Sequence, residues 1–338
     1  MVTQKEIASR LGVSPSLVSR ALSGTATRIG ASAKTVARIR AEAAKLNYQP
    51  SAAALSLRGN STRTIGVVVK NFDDPFFGRI IAELQTLAAN QRYSLLLTGC
   101  TPTPGLRVDI HSLAKFQLDG LIIAGSDFEP DGLDAFRRNR LPIARIGTGT
   151  KLRGVLTISV DWQFGIQKLL EHLMQLGHRD IGYLGDESQS NLRRETILQN
   201  AMRRAGLVVR PHCFVRARSY QTSAGYEAML ALLNRCGGRP PTAVVAAEDV
   251  LALSALRVLY EKQLRVPHDL TLVGIDDIPA ARTTIPALTT IRQPIADMVQ
   301  AAFQHIVQPR QIHSEICLRP ELVVRESSAP PPKEIKPA

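Results

Sequence analysis

Much that would mark a membrane protein, a disulfide scaffold or an enzyme is missing from this 338-residue chain. No apolar run approaches the ~18 residues of a membrane span. The N-terminus, MVTQKEIASR, lacks the apolar core of a secretory leader. A cytoplasmic location and no membrane partner are therefore expected. The four cysteines, Cys100, Cys213, Cys236 and Cys317, form no CxxC pair and no sequence cluster with the seven histidines. That argues against a zinc site or a disulfide framework and for buried reduced thiols. No GxxxxGK[ST], GxSxG or HExxH motif occurs, and Gly147-Thr148-Gly149 lacks the GxGxxG spacing of a dinucleotide loop. No Ser/His/Asp set stands out. No catalysis, metal or cofactor is expected.

Acidic residues are scarce at the N-terminus. Residues 1–63 hold ten lysines and arginines against Glu6 and Glu42, a net +8, leaving +5 of the total +13 for the other 275 residues. A basic segment this concentrated suits a polyanion, although a merely solvated face has the same composition. Within it, Thr3 and Glu6 form a capping box that starts a helix. Gly12 ends that helix, Ser14 caps a second one and Pro15 takes its first position. A third helix follows Ser32. Ile7, Leu11, Val18, Leu22, Val36, Ile39 and Leu46 would form one small core. This leaves Ser14, Pro15, Ser16, Ser19 and Arg20 on the exposed side of the second helix, the pattern of a helix-turn-helix whose reader enters a DNA major groove.

Beyond residue 64, β-rich runs (TIGVVV, YSLLLTG, DGLIIAG, LPIARIG, VLTISVD, then DIGYLGD, TAVVAAED, LTLVGIDD, LTTIRQP) alternate with helical stretches. That alternation predicts βαβ units in parallel sheets, too many strands for one sheet and so two α/β lobes. Ligands of such sheets bind where the strands end.

The runs KEIASRLGVSPSLVSRALSG and LNYQPSAAALSLRGNSTRTIGVVV resemble, in order and spacing, the turn and linker of the LacI family of bacterial transcription regulators. DDPFFGRI, FQLDGLIIAG, LGHRDIGYLG, AAEDVLALSALRVL, LRVPHDLTLVGIDDIP and ALTTIRQP extend the resemblance to about residue 328. It implies an all-α helix-turn-helix headpiece (1–49), a hinge helix and linker (50–63), and an α/β, two-lobed, periplasmic-binding-protein-like sensor and dimerisation domain (64–328). Lobe 1 would take about 64–160 plus 291–317, and lobe 2 about 161–290 plus 318–328. A Pro- and Lys-rich tail (329–338) would be disordered. The implied function is a dimeric repressor that binds double-stranded operator DNA under the control of a small metabolite.

By the same resemblance, Pro15, Ser16 and Arg20 match base-reading positions, and Tyr48 joins the DNA-facing set. Leu57 matches a leucine inserted into the minor groove, with Ala54 beside it. Phe76, Phe77, Ser126, Asp161, Arg194, Tyr220, Glu248 and Asp276 match or adjoin effector positions. A carboxylate accepting two hydroxyls, an arginine donating to oxygens and an aromatic face suit a hydroxylated ligand, most simply a sugar. A nucleobase or other metabolite is the alternative effector; a stand-alone sugar-binding protein would leave residues 1–60 without a job. Phe76 and Phe77 are equally compatible with core, and Asp276 with a helix cap. Pro15 and a longer 24–32 loop depart from the family pattern. So do Glu248 in place of Asn, Asp74 in place of the Asn of NPFF, and Gly147 in place of an Asp. Glu248 adds a carboxylate, which favours polyols or amine-bearing ligands over anions.

Overall fold

The computed structural model describes residues 2–22, 31–48, 61–99, 110–126, 132–149, 152–217, 223–309 and 314–333. The chain divides into two compact units, residues 1–62 and 63–338.

The first unit is helical: α1 (Gln4–Leu11), α2 (Pro15–Leu22) and α3 (Ala33–Lys45). Its local signals act as the sequence implies. The Thr3 hydroxyl accepts from the Glu6 amide, Ser14 from that of Leu17 and Ser32 from that of Thr35. Each cap satisfies a helix-end donor that would otherwise lack a partner. Gly12 adopts φ 65° and donates back into the last turn of α1, which lets the chain reverse within three residues. Ile7, Ala8, Val18, Ala21, Val36, Ile39 and Ala43 form the core. Leu11, Leu22 and Leu46, expected inside it, are half-buried against its rim.

The second unit is built on two six-stranded sheets. Sheet 1 comprises β1 (Thr64–Val69), β2 (Ser94–Gly99), β3 (Gly120–Ala124), β4 (Ile143–Ile146), β5 (Leu156–Val160) and β11 (Glu315–Leu318). Sheet 2 comprises β6 (Ile181–Asp186), β7 (Phe214–Ala217), β8 (Ala243–Ala246), β9 (Thr271–Asp276), β10 (Thr289–Arg292) and β12 (Glu321–Val323). Their orders are β11-β5-β4-β3-β1-β2 and β12-β10-β9-β8-β6-β7. All pairings are parallel except β10–β12.

Sheet 1 is covered on both faces. Ile65, Val67, Val69, Ile122 and Ala124 point into the main core, while Val68, Leu121 and Ile123 join a second cluster with Ile110, Leu113 and Phe136. This alternation explains why the strands read as continuous apolar runs. The helices are α4 (Pro75–Asn90), α5 (Leu133–Arg138), α6 (Trp162–Gln175), α7 (Gln189–Arg204), α8 (Ala224–Arg235), α9 (Asp249–Glu261) and α10 (Ile295–Val307).

Among the described residues the chain passes between the sheets three times: from β5 into α6, from β10 into α10, and from β11 into β12. Two crossings are tied together where the Asp161 amide donates to the Leu318 carbonyl at 2.8 Å. A Cβ on Gly165 would lie 2.6 Å from Pro320, so α6 starts hard against the third crossing.

Two expectations need correction. The tail was expected to be disordered from residue 329, yet Ala329 is held on sheet 2. Its carbonyl accepts from His178 (2.8 Å) and Thr271 (3.1 Å), and its amide donates to Thr271. These bonds outweigh the disorder that the composition favours. Secondly, of the cysteines expected to be buried thiols, Cys317 is exposed; Cys213 and Cys236 are buried as expected, with Sγ atoms 3.0 Å apart and His212 within 4.8 Å. Both thiols are free and buried. Burial, and then the Cys236 sulfur beside it, push the Cys213 thiol up to about 12.

Helices α8 and α9 pack at glycine distance. A Cβ on Gly225 would lie 2.0 Å from the Leu251 carbonyl oxygen, whereas one on Gly78 in α4 would meet nothing within 4 Å. Gly225→Ala should lower the melting temperature by roughly 5 °C, from about 2 kcal/mol of overpacking. Gly78→Ala should hold or raise it, because alanine favours a helix by about 1 kcal/mol. Calorimetry of the two variants checks the opposite signs.

Candidate nucleic-acid interface and ligand cleft

On α2, Ser14, Pro15, Ser16 and Arg20 are exposed. The Ser14 hydroxyl caps its own helix, and Pro15 occupies the first turn, where a missing N–H costs no hydrogen bond. The surface therefore presents a short polar helix start followed one turn later by a guanidinium. Ser19 departs from expectation. It is 5% exposed because α2 packs on both α1 and α3, which widens the buried stripe to include it. Tyr48 is half-buried at the rim of the headpiece core, and its amide donates to the Ala43 carbonyl. Arg10 bridges Glu6 and Glu42, tying α1 to α3 and withdrawing one cation from the basic set. Ala54 and Leu57 lie outside the described residues, as does Tyr220.

In the second unit, charge gathers where parallel strands end. Asp74 follows β1, Asp186 ends β6, Glu248 follows β8 and Asp276 ends β9. Arg194 comes from α7 and is only 6% exposed. Its guanidinium stacks over Trp162 at 4.1 Å, donates to the Ala247 carbonyl at 2.7 Å and to Asn191 Oδ1 at 3.3 Å, and lies 3.9 Å from Glu248. An arginine held by a carbonyl and an indole face is fixed in direction before any ligand arrives.

Asp276 is buried, with φ 119°, a conformation that side chains other than glycine rarely adopt. Its neighbours hold it there. Gln293 donates to Asp276 at 2.6 Å from the second crossing segment. Asp277, fully buried, accepts from Arg292 (2.7 Å), Arg282 (3.1 Å) and Arg325. Although burial opposes it, these bonds keep the Asp277 carboxyl below the ordinary range. Asp249 fixes the same loop, accepting from Thr290 (2.6 Å) and from the Ile278 amide (2.9 Å). Arg79 of α4 reaches across from sheet 1 and donates to the Asp277 carbonyl at 2.8 Å. The strained loop thus touches both lobes.

The carboxylates feel one another. Burial, then Asp74 and Asp186, push Glu248 up to about 7 against the pull of Arg194 and Lys70. Burial also drives Asp276 well above the ordinary range, Arg194 opposing and Glu248 adding to it. Asp74 is raised by burial, against its bond from the Phe76 amide and the charges of Lys70 and Arg194. Asp74 stands on the sheet 1 side and Arg194 on the sheet 2 side, so these groups face one cleft.

Other expected residues do different work. Phe77 belongs to the main core and packs edge-on to half-buried Phe76, two residues after Asp74, at 5.2 Å. The Ser126 hydroxyl oxygen accepts from the Thr148 amide at 3.0 Å, pinning the ends of β3 and β4 together. The Asp161 carboxylate caps α6 through the Phe164 amide. It also lines an open depression with Gln163, Phe164, Gln167 and Arg204. Gly147 is explained: its φ is +140°, and a Cβ would lie 2.8 Å from the Gly125 backbone, so no aspartate fits without moving the loop. Trp162, Asn191, Asp186 and Gln293 adjoin these groups, although no motif in the sequence marks them. For Trp162 the position itself is a signal, since the chain's one tryptophan directly follows Asp161 at the crossover.

Comparison with known proteins matches this arrangement. Residues 170–328 match the periplasmic binding protein-like domain family. The HTH-type transcriptional repressor PurR of Haemophilus influenzae strain PittEE is 32% identical over 344 residues, covering 97% of this chain and 98% of that protein. The PurR repressor of Histophilus somni strain 2336 is also 32% identical, over 97% and 99%. The chain belongs to the LacI family of transcription regulators. Among solved LacI-family structures, the Lac repressor dimer bound to operator and the anti-inducer ONPF superposes with a TM-score of 0.82 at 26% identity, covering 97% of this chain and 99% of that one. As in those relatives, the chain is a regulator rather than an enzyme.

The cleft has a pH signature. The folded LacI-type domain holds the Glu248 proton more tightly than the unfolded chain does. Stability therefore falls as pH rises from the ordinary carboxylate range through about 7. Glu248→Gln should differ little from the parent near pH 4 and be more stable by roughly 3 kcal/mol at pH 8. Urea titrations at the two pH values measure the difference.

Proposed function

We propose that this protein is a dimeric repressor whose affinity for double-stranded operator DNA is set by a small hydroxylated metabolite bound between sheets 1 and 2. It acts in the cytoplasm; among the described residues no helix is long and apolar enough to cross a membrane. The DNA half of this reading rests on α2, whose exposed Ser14, Pro15, Ser16 and Arg20 suit contact with phosphates and base edges, and on the basic bias of residues 1–63. The Lac repressor relative, solved as a dimer on operator, supports the same partner and assembly. Leu57 is proposed as the hinge leucine that wedges the minor groove, with Ala54 packed beside it.

The effector half is carried by one observation: Arg194, stacked on Trp162, stands among Glu248, Asp276 and Asp74 at the strand ends. Arg194 would donate to ligand oxygens and Asp276 would accept from ligand hydroxyls, with Phe76 and Tyr220 covering apolar C–H groups. A carbohydrate fits this donor and acceptor set best. A nucleobase is the second reading, favoured by the flat faces of Phe76 and Trp162. The ligand must bind the open and closed arrangements of the lobes unequally, and the Arg79–Asp277 bond across the cleft is a contact that movement of the lobes would alter.

Two variants test the halves. Arg20→Ala should reduce discrimination between operator and random DNA by at least tenfold in a binding assay, the order expected for one lost base contact. Asp276→Asn should abolish the effector-dependent change in operator affinity. Unchanged discrimination removes Arg20 from the readers, and a retained response removes Asp276 from the pocket.

A further inference from the structure

The cleft is unbalanced in two ways. First, Asp74, Asp186, Glu248 and Asp276 are opposed by Arg194 and Lys70. Arg194 is already spent on the Ala247 carbonyl, Asn191 and the Trp162 face. The Glu248 carboxylate accepts no hydrogen bond from the described residues; its one ion pair is the long contact to Arg194 at 3.9 Å, and its side chain keeps 24% of its exposure. It is a carboxylate within reach of a ligand and without a donor of its own. Secondly, two buried donors are unmet. Asn191 is fully buried with no acceptor for its Nδ2, and Arg194, 6% exposed, has none for its Nε. Buried donors of this kind are normally satisfied, and a site that leaves them open selects a ligand that fills them.

The two imbalances ask for different groups on one molecule. Unmet donors want hydroxyl or ring oxygens; a carboxylate with one long ion pair and other carboxylates around it wants a closer cation. A metal ion would answer only the second. It also does not fit, because no three of these carboxylates bring oxygens within 4.8 Å of one another; among the described residues only His212, Cys213 and Cys236 meet that spacing.

We infer that the effector is an amine-bearing polyhydroxyl compound, an amino sugar or amino polyol, whose ammonium group pairs with Glu248 while its oxygens take the Asn191 and Arg194 donors. This rests on the cleft being the effector site. A protonated amine relieves the repulsion that burdens Glu248, and an anionic ligand would add to it. Glu248 then sets specificity by charge, not by shape.

The test uses the full-length protein at pH 8 and a panel of matched probes: D-glucosamine with D-glucose, 1-amino-1-deoxy-D-glucitol with D-glucitol, D-gluconate as the anion, and calcium chloride. Affinity is read by calorimetry and by thermal shift. At least one aminated probe should bind ten times or more tighter than its neutral parent, and gluconate should not bind. Glu248→Gln, near-isosteric and checked for folding by its own melting transition, should lose that preference at least tenfold while moving the neutral parent's affinity less. The inference is overturned if neutral probes bind as well as aminated ones, if calcium alone gives the shift, if no aminated probe binds, or if the Gln variant keeps the preference. Neutral probes that bind and release operator would leave the effector reading standing while removing the amine. An aminated probe that binds through Glu248 without changing operator affinity would defeat the effector reading instead.

Discussion

Arg194 is the interaction on which the second unit's site depends. Its guanidinium is held on one side by an indole and on another by a backbone carbonyl, in a cleft otherwise dominated by carboxylates. Without that charge the carboxyls of Asp74, Glu248 and Asp276 would each be harder to ionise, since Arg194 pulls against every one of them. The same residue leaves a donor unmet and gives the neighbouring Glu248 carboxylate only a long contact at 3.9 Å. A cleft that is structurally fixed and chemically incomplete is what a binding site requires.

The supports of that cleft are also its route to the rest of the molecule. Asp276 keeps an unfavourable backbone conformation because Asp277 and Asp249 anchor the loop on both sides of it. Asp277 collects arginines from β10, from the turn after β9 and from the segment after β12, and its carbonyl takes Arg79 from α4 of the other lobe. A ligand that moves Asp276 therefore disturbs a bond between the lobes. The three crossings limit the response, because Asp161 and Leu318 are bonded and Pro320 abuts Gly165. Rotation of one lobe on the other about these crossings is the motion such a frame permits.

The sequence made the architecture legible because its signals are local. Thr3, Gly12 and Ser14 act on residues three or four away, and the β-rich runs report burial on both sheet faces directly. Motif order brought Arg194, Glu248 and Asp276 to one place on paper. What it could not supply was non-local. Ser19 looked exposed because a single helical wheel ignores the second packing partner. Phe77 packs in the core and Asp161 caps α6, placements that residue type alone does not show. Gln293 reaches Asp276, and Asn191 reaches Arg194, only because strand ends and helix starts converge in three dimensions. Cys213 and Cys236 meet for the same reason, and Ala329 docks on His178 against the tendency of its Pro-rich surroundings.

The central claim is that occupancy of this cleft controls operator binding. Trp162 is the chain's one tryptophan and stands 4.1 Å from Arg194, so its fluorescence reports the cleft directly. A single titration of the operator complex with any ligand that releases DNA should follow that fluorescence and operator release together. The account predicts one shared midpoint. Release of operator with unchanged Trp162 fluorescence, or at a separate midpoint, would contradict it.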